Sequence, residues 1–174
     1  MPQERLIIVG FMGSGKSTVA RALARRLSST MTDLDAEIAR TDGRAPKEII
    51  EQDGEAAFRK IETRVLEQVL NEQTEQVIAL GGGAWPLPNN RNLISNHGAI
   101  TIWLDAPFDL CWQRIVRTGN ERPLAQNVPQ ARALYNARRP AYSLAKIHVT
   151  ASADKSAEQI ADEVIRHLTQ AGAQ

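Results

Sequence analysis

Three short apolar runs stand out along the chain: Leu6-Ile7-Ile8-Val9, Val77-Ile78-Ala79-Leu80 and Ile100-Thr101-Ile102-Trp103-Leu104. A weaker fourth covers residues 146–150. None alternates cleanly with polar residues, as expected of strands buried on both faces of a parallel sheet. A fifth strand at about residues 30–33 is expected from its place between helices rather than from its own pattern. Helical periods separate the runs. Val19, Leu23 and Leu27 fall at steps of four, Phe58, Ile61, Val65 and Val69 form one stripe over residues 55–70, and Ile160, Val164, Ile165 and Leu168 form another. Strands alternating with helices predict an α/β fold of three layers, a parallel sheet with helices on both faces.

Two stretches interrupt that alternation. Residues 35–73 carry at least two helical segments with no strand between them, and read as an inserted substrate-binding region. Residues 117–129 are polar, with Gly119, Pro123 and Pro129, and read as a mobile lid. The 174 residues suit one domain over residues 1–174. Residues 169–174 are expected to fray.

The strongest chemical signal is Gly10-Phe11-Met12-Gly13-Ser14-Gly15-Lys16-Ser17-Thr18. It matches the phosphate-binding loop of nucleotide-binding proteins, with an apolar strand before it and a helical period after it. Glycines let successive backbone N–H groups turn inward towards phosphate oxygens, and the new helix adds the positive end of its dipole. Lys16 can reach the β- and γ-phosphates of ATP, and the Ser17 hydroxyl can sit on Mg²⁺.

Asp33 and Asp35 end the second expected strand, on the rim where open parallel sheets gather ligands. If the strand continues to its end, both point to one side. One carboxylate could hold a metal-bound water and the other could orient a substrate hydroxyl. A helix N-cap acid is the plainer alternative. Gly81-Gly82-Gly83 would let the backbone approach a ligand closely. The strand before them lacks the terminal acid that often partners the metal, so Asp33 takes that part. Arg59, Arg117, Arg122 and Arg138 are candidate anion-binding groups. Glu62 lies three residues after Arg59, close enough on a helix to hold its guanidinium.

A formal net charge of +1 excludes a global field for nucleic acid or a membrane surface. Cys111 is the single cysteine, so no internal disulfide forms, and a small buried hydrophobe is the simplest reading. The short apolar run at residues 6–9 is too brief for a secretion signal, which suggests a cytoplasmic protein. His97, His148 and His167 show no ligand spacing.

Together these motifs resemble the shikimate kinases. The resemblance covers nearly the whole chain, in motif order: the phosphate loop, Asp33-Leu34-Asp35, Gly54-Glu55 with Phe58-Arg59 and Glu62, the triple glycine, Arg122-Pro123-Leu124, and Arg138-x-Pro140-x-Tyr142. It implies a P-loop NTPase fold with a five-stranded parallel sheet, and transfer of the ATP γ-phosphate to the 3-hydroxyl of shikimate, on the way to chorismate and aromatic amino acids. It implies that Gly13, Ser14, Gly15, Lys16, Ser17 and Thr18 bind the ATP phosphates, with Arg117 beside adenine and Arg122 on the transferred group. Ser17 and Asp33 would hold Mg²⁺. Asp35, Arg59, Gly82 and Arg138 would bind shikimate, the two arginines taking its carboxylate. Lys16, Asp35 and Arg122 would be the catalytic residues, and a monomer is expected. The chain departs from the family in a short lid, in Trp85-Pro86 after the glycines, and in residues 151–155, which offer no adenine contact. Two rivals are a gluconate kinase-like enzyme and a nucleotide-binding regulatory module without transfer.

Overall fold

The computed structural model describes residues 4–72, 77–119 and 123–171. Its sheet has five parallel strands: β1 (Leu6–Val9), β2 (Met31–Asp33), β3 (Val77–Ala79), β4 (Ile100–Asp105) and β5 (Ile147–Thr150). They run in the order β2-β3-β1-β4-β5. β1 is the centre, with Ile7 in register with Ile78 on one side and Thr101 on the other. All four of its residues are buried, as its unbroken apolar run requires.

The two edge strands are those with the weakest sequence patterns. β2 is only partly buried throughout. β5 does alternate, burying Ile147 and Val149 and exposing His148 and Thr150, because an edge strand packs more fully on one face.

Helix α1 (Lys16–Arg26) joins β1 to β2, a step towards one edge, while every later crossover steps the other way. Right-handed connections therefore put α1 on one face and the later crossover helices on the other. Helix α8 (Ala157–Ala171) packs beside α1 and against β5. It continues through Ala171, beyond the start of the expected fraying. The interrupted region is three helices: α2 (Leu34–Asp42), α3 (Pro46–Asp53) and α4 (Glu55–Asn71), the first two resting on α4. α4 buries Phe58, Val65 and Val69 of its predicted stripe, with Ile61 partly covered. Helix α5 (Pro88–Asn96) packs on α4.

The polar stretch at residues 117–129 is helical at both ends. Arg117 belongs to the last turn of α6 (Phe108–Thr118), which stops at left-handed Gly119. Pro129 lies in the first turn of α7 (Val128–Tyr142), after the Asn127 cap. Asn120, Glu121 and Arg122 lie outside the described residues, so the expected catalytic role of Arg122 is carried forward on sequence alone.

Candidate active site

The carboxyl ends of β1, β2 and β3 open onto one rim, and the phosphate loop fills the gap between β1 and α1. Gly13 and Gly15 have φ of +77° and +97°, which favour glycine. A Cβ on Gly13 would stand 2.5 Å from the Cys111 carbonyl oxygen, so the loop is pressed onto α6. Arg114, on α6, donates to the Gly13 and Ser14 carbonyls at 3.2 and 3.1 Å. Lys16 Nζ crosses the loop and donates to the Phe11 carbonyl at 2.9 Å. The cation is thus held at the loop.

Ser17 and Asp33 meet directly. The Ser17 hydroxyl donates to Asp33 Oδ2. The other oxygen, Oδ1, accepts from the backbone N–H of Asp35 at 3.1 Å and of Ala36 at 3.2 Å. Asp33 is therefore the N-cap of α2. The expectation of a strand running on to Asp35 fails here, because the chain turns helical at Leu34. Asp33 is turned to the Ser17 side by its capping role rather than by strand alternation. A hydroxyl beside a carboxylate suits Mg²⁺, which takes one or two protein oxygens and completes its shell with water and phosphate.

Asp35 instead faces a separate cleft of about 570 Å³, counted out to open solvent. Its walls hold Asp35, Arg59, Glu62, Gly82 and Arg138, with Ile50 and Phe58 as apolar surface and Pro123 and Leu124 at the lid side. All four residues expected to bind the acceptor are thus brought together. Gly81 and Gly83 make room for two of them, and Gly82 lies against a third. A Cβ on Gly81 would lie 2.8 Å from Asp35 Oδ1, and one on Gly82 would lie 3.4 Å from Arg138 Nη1. A Cβ on Gly83 would lie 2.5 Å from the Arg59 guanidinium carbon.

The two arginines are supported differently. Arg59 donates to Glu62 Oε2 at 2.7 Å and approaches Glu55 at 3.3 Å. Glu62 is fully buried, and burial pushes its carboxyl pKa up against the pull of Arg59. Arg138 is only 8% exposed, and burial lowers its pKa. The phenol of Tyr142, one turn along α7, offsets part of that lowering.

Two further placements concern residues beside the loop and the cleft. Arg117 is exposed, and it is Arg114, three residues earlier, that touches the phosphate loop. Trp85 does not line the cleft. It is buried, and its indole N–H donates to the Ala141 carbonyl at 2.7 Å, tying the segment after the glycines to α7.

The sequence model of the shikimate kinase family matches residues 12–169. The chain belongs to the shikimate kinase family. A shikimate kinase of Ruegeria pomeroyi is 44% identical over 168 residues, covering 95% of this chain and 85% of the relative. The solved shikimate kinase of Acinetobacter baumannii in complex with shikimate superposes with a TM-score of 0.90 at 32% identity, covering 98% of this chain and 96% of that one. A gluconokinase of Sinorhizobium meliloti aligns at a TM-score of 0.61 and 15% identity, with 97% and 93% covered, which reflects shared fold alone. As a shikimate kinase, the chain has the P-loop NTPase fold and is an ATP-dependent phosphotransferase.

Proposed function

We propose that this protein transfers the γ-phosphate of ATP to the 3-hydroxyl of shikimate, giving shikimate 3-phosphate and ADP. The observation that carries the reading is the meeting of Asp35, Arg59, Gly82 and Arg138 in one cleft beside the phosphate loop. Arg59 and Arg138 grip the acceptor carboxylate, and Ile50 and Phe58 take the carbon ring. Asp35 accepts a hydrogen bond from the reacting hydroxyl and aims its lone pair at the γ-phosphorus.

Phosphoryl transfer asks mainly for positioning and charge neutralisation. Gly13, Ser14, Gly15 and Thr18 contribute to the phosphate cradle, and Lys16 leaves the Phe11 carbonyl to follow the transferred charge. Ser17 and Asp33 hold Mg²⁺, which neutralises phosphate charge when bound. Arg122 supplies the lid cation, and closure over Pro123 and Leu124 excludes water that would otherwise take the phosphate. Arg117 lies beside adenine, and Arg114 braces the phosphate loop from α6. The expected setting is cytoplasmic and monomeric, and among the described residues no helix is long and apolar enough to cross a membrane.

The test is ADP release by purified protein with Mg·ATP, with shikimate or gluconate as acceptor. Release that depends on shikimate is expected. Release with gluconate alone would move the acceptor to sugar acids. ATP binding without release from either would leave a nucleotide-binding regulator.

A further inference from the structure

Tyr142, the last residue of α7, is 1% exposed, and its hydroxyl donates to the Gly82 carbonyl at 2.5 Å. Arg138 lies one helical turn back, a spacing at which side chains meet, and its Nη1 stands 3.4 Å from where a Cβ on Gly82 would lie, so phenol and guanidinium converge on Gly82. One phenol therefore binds one of the four acceptor residues and lies beside a second, joining α7 to the segment after β3.

The chemistry of that partner matters. Arg59 is neutralised by the Glu62 carboxylate. Arg138 has beside it a group that carries no charge, since burial pushes the Tyr142 phenol up to about 12. A buried guanidinium with no partner would be costly before substrate arrives. A carboxylate partner would cancel the charge that the acceptor must meet. A neutral phenol gives the guanidinium a polar neighbour and leaves the positive charge available.

We propose that Tyr142 is a positioning residue for the acceptor, fixing Arg138 and the Gly82 carbonyl in one geometry while reserving the charge of Arg138 for the substrate carboxylate. This rests on the assignment of Arg138 to shikimate binding. Trp85 provides the comparison, because its hydrogen bond pins the same helix end through Ala141 and goes to neither Arg138 nor Gly82.

Tyr142→Phe is expected to raise the KM for shikimate about tenfold and leave the KM for ATP within about twofold. Trp85→Phe is expected to lower the unfolding temperature and leave the shikimate KM within about twofold. An unchanged shikimate KM in Tyr142→Phe would overturn the inference, as would an equal rise in Trp85→Phe. Arg138→Ala separates the two levels. If it too leaves the shikimate KM unchanged, the acceptor-site assignment fails; if it raises KM and Tyr142→Phe does not, only the role of Tyr142 fails. The chain has two tyrosines, so 3-fluorotyrosine labelling gives two ¹⁹F signals, assigned with Tyr135→Phe. Shikimate is expected to shift the Tyr142 signal in otherwise native protein, and a signal that stays put at saturating shikimate overturns the proposal even if Tyr142→Phe does not fold.

Discussion

Residues 10–18 place the phosphate-binding groups within a single strand–loop–helix turn, whereas the acceptor cleft draws Asp35 from α2, Arg59 and Glu62 from α4, three glycines from the segment after β3, and Arg138 from α7. The first is proposed to work through backbone N–H groups and one lysine. The second is proposed to work through charged side chains with buried neighbours. A nucleotide phosphate is the same in every kinase, so a contiguous backbone cradle can be reused. An acceptor must be recognised by shape and charge from several sides, which needs separate elements and a fold to align them.

The largest effects should come from the two residues proposed to act at the reacting atoms, one from each half. Lys16→Ala and Asp35→Ala should each lower kcat by about a thousandfold or more, since each removes a group acting in the transition state. The binding consequences should divide. Calorimetry should find ATP binding weakened in Lys16→Ala and retained in Asp35→Ala. Normal turnover in purified Asp35→Ala would remove that residue from the mechanism.

That division also sets what the sequence makes legible. The phosphate loop is readable because its spacing and both flanks are local. Four strands follow from apolar runs, and the edge strand β2 only from its position. α7 has no aliphatic stripe to announce it. Its buried residues are Ala131, Tyr135, Arg138 and Tyr142, which keep helical spacing but include a cation and two phenols. With Pro140 near its end, the segment looks like a polar connection, and Arg138 looks like a surface charge. Arg114 is missed for another reason: its partners lie about a hundred residues earlier, and only packing of α6 against the loop joins them. The turn at Asp33 is a competition between strand continuation and capping, and two backbone N–H groups satisfied by one carboxylate decide it.

Next in size are two glycine substitutions that probe the halves separately. In Gly13→Ala the new methyl would meet backbone, 2.5 Å from the Cys111 carbonyl oxygen, at a φ of +77°. Neither conflict is relieved by moving a side chain, so the loop must distort. ATP affinity should fall by about a hundredfold, with a lower unfolding temperature. In Gly83→Ala the methyl would lie 2.5 and 2.6 Å from Cζ and Nη1 of Arg59, the far end of a flexible side chain. Arg59 can swing away, so the fold should survive while its grip on the acceptor is lost. The KM for shikimate should rise by about thirtyfold with ATP binding intact. Equal damage to both substrates in Gly83→Ala would show that the halves are mechanically inseparable.

The smallest effect concerns Glu62, where stability and function pull in opposite directions. Burial raises its folded carboxyl pKa above the ordinary value of 4.5, even with Arg59 beside it. Between 4.5 and the raised value the folded protein binds more protons than the unfolded chain. Its contribution to stability is therefore full below about 4.5 and is lost as pH rises through the folded pKa. Glu62→Gln does not titrate, so the wild type should lose stability relative to the variant as pH climbs through that window. Chemical denaturation of both proteins across it measures the difference. The shikimate KM should run the other way. Ionised Glu62 holds Arg59 in place, so above the raised pKa Glu62→Gln should raise that KM about fivefold, and the two proteins should converge on acidification as the wild-type carboxyl takes up its proton. Comparing the variant with the wild type at each pH cancels the titration of the acceptor's own carboxylate. A KM ratio that stays flat across the window would mean that Glu62 supports Arg59 through shape alone, and the charge-based contrast between the two arginines would lose one of its sides.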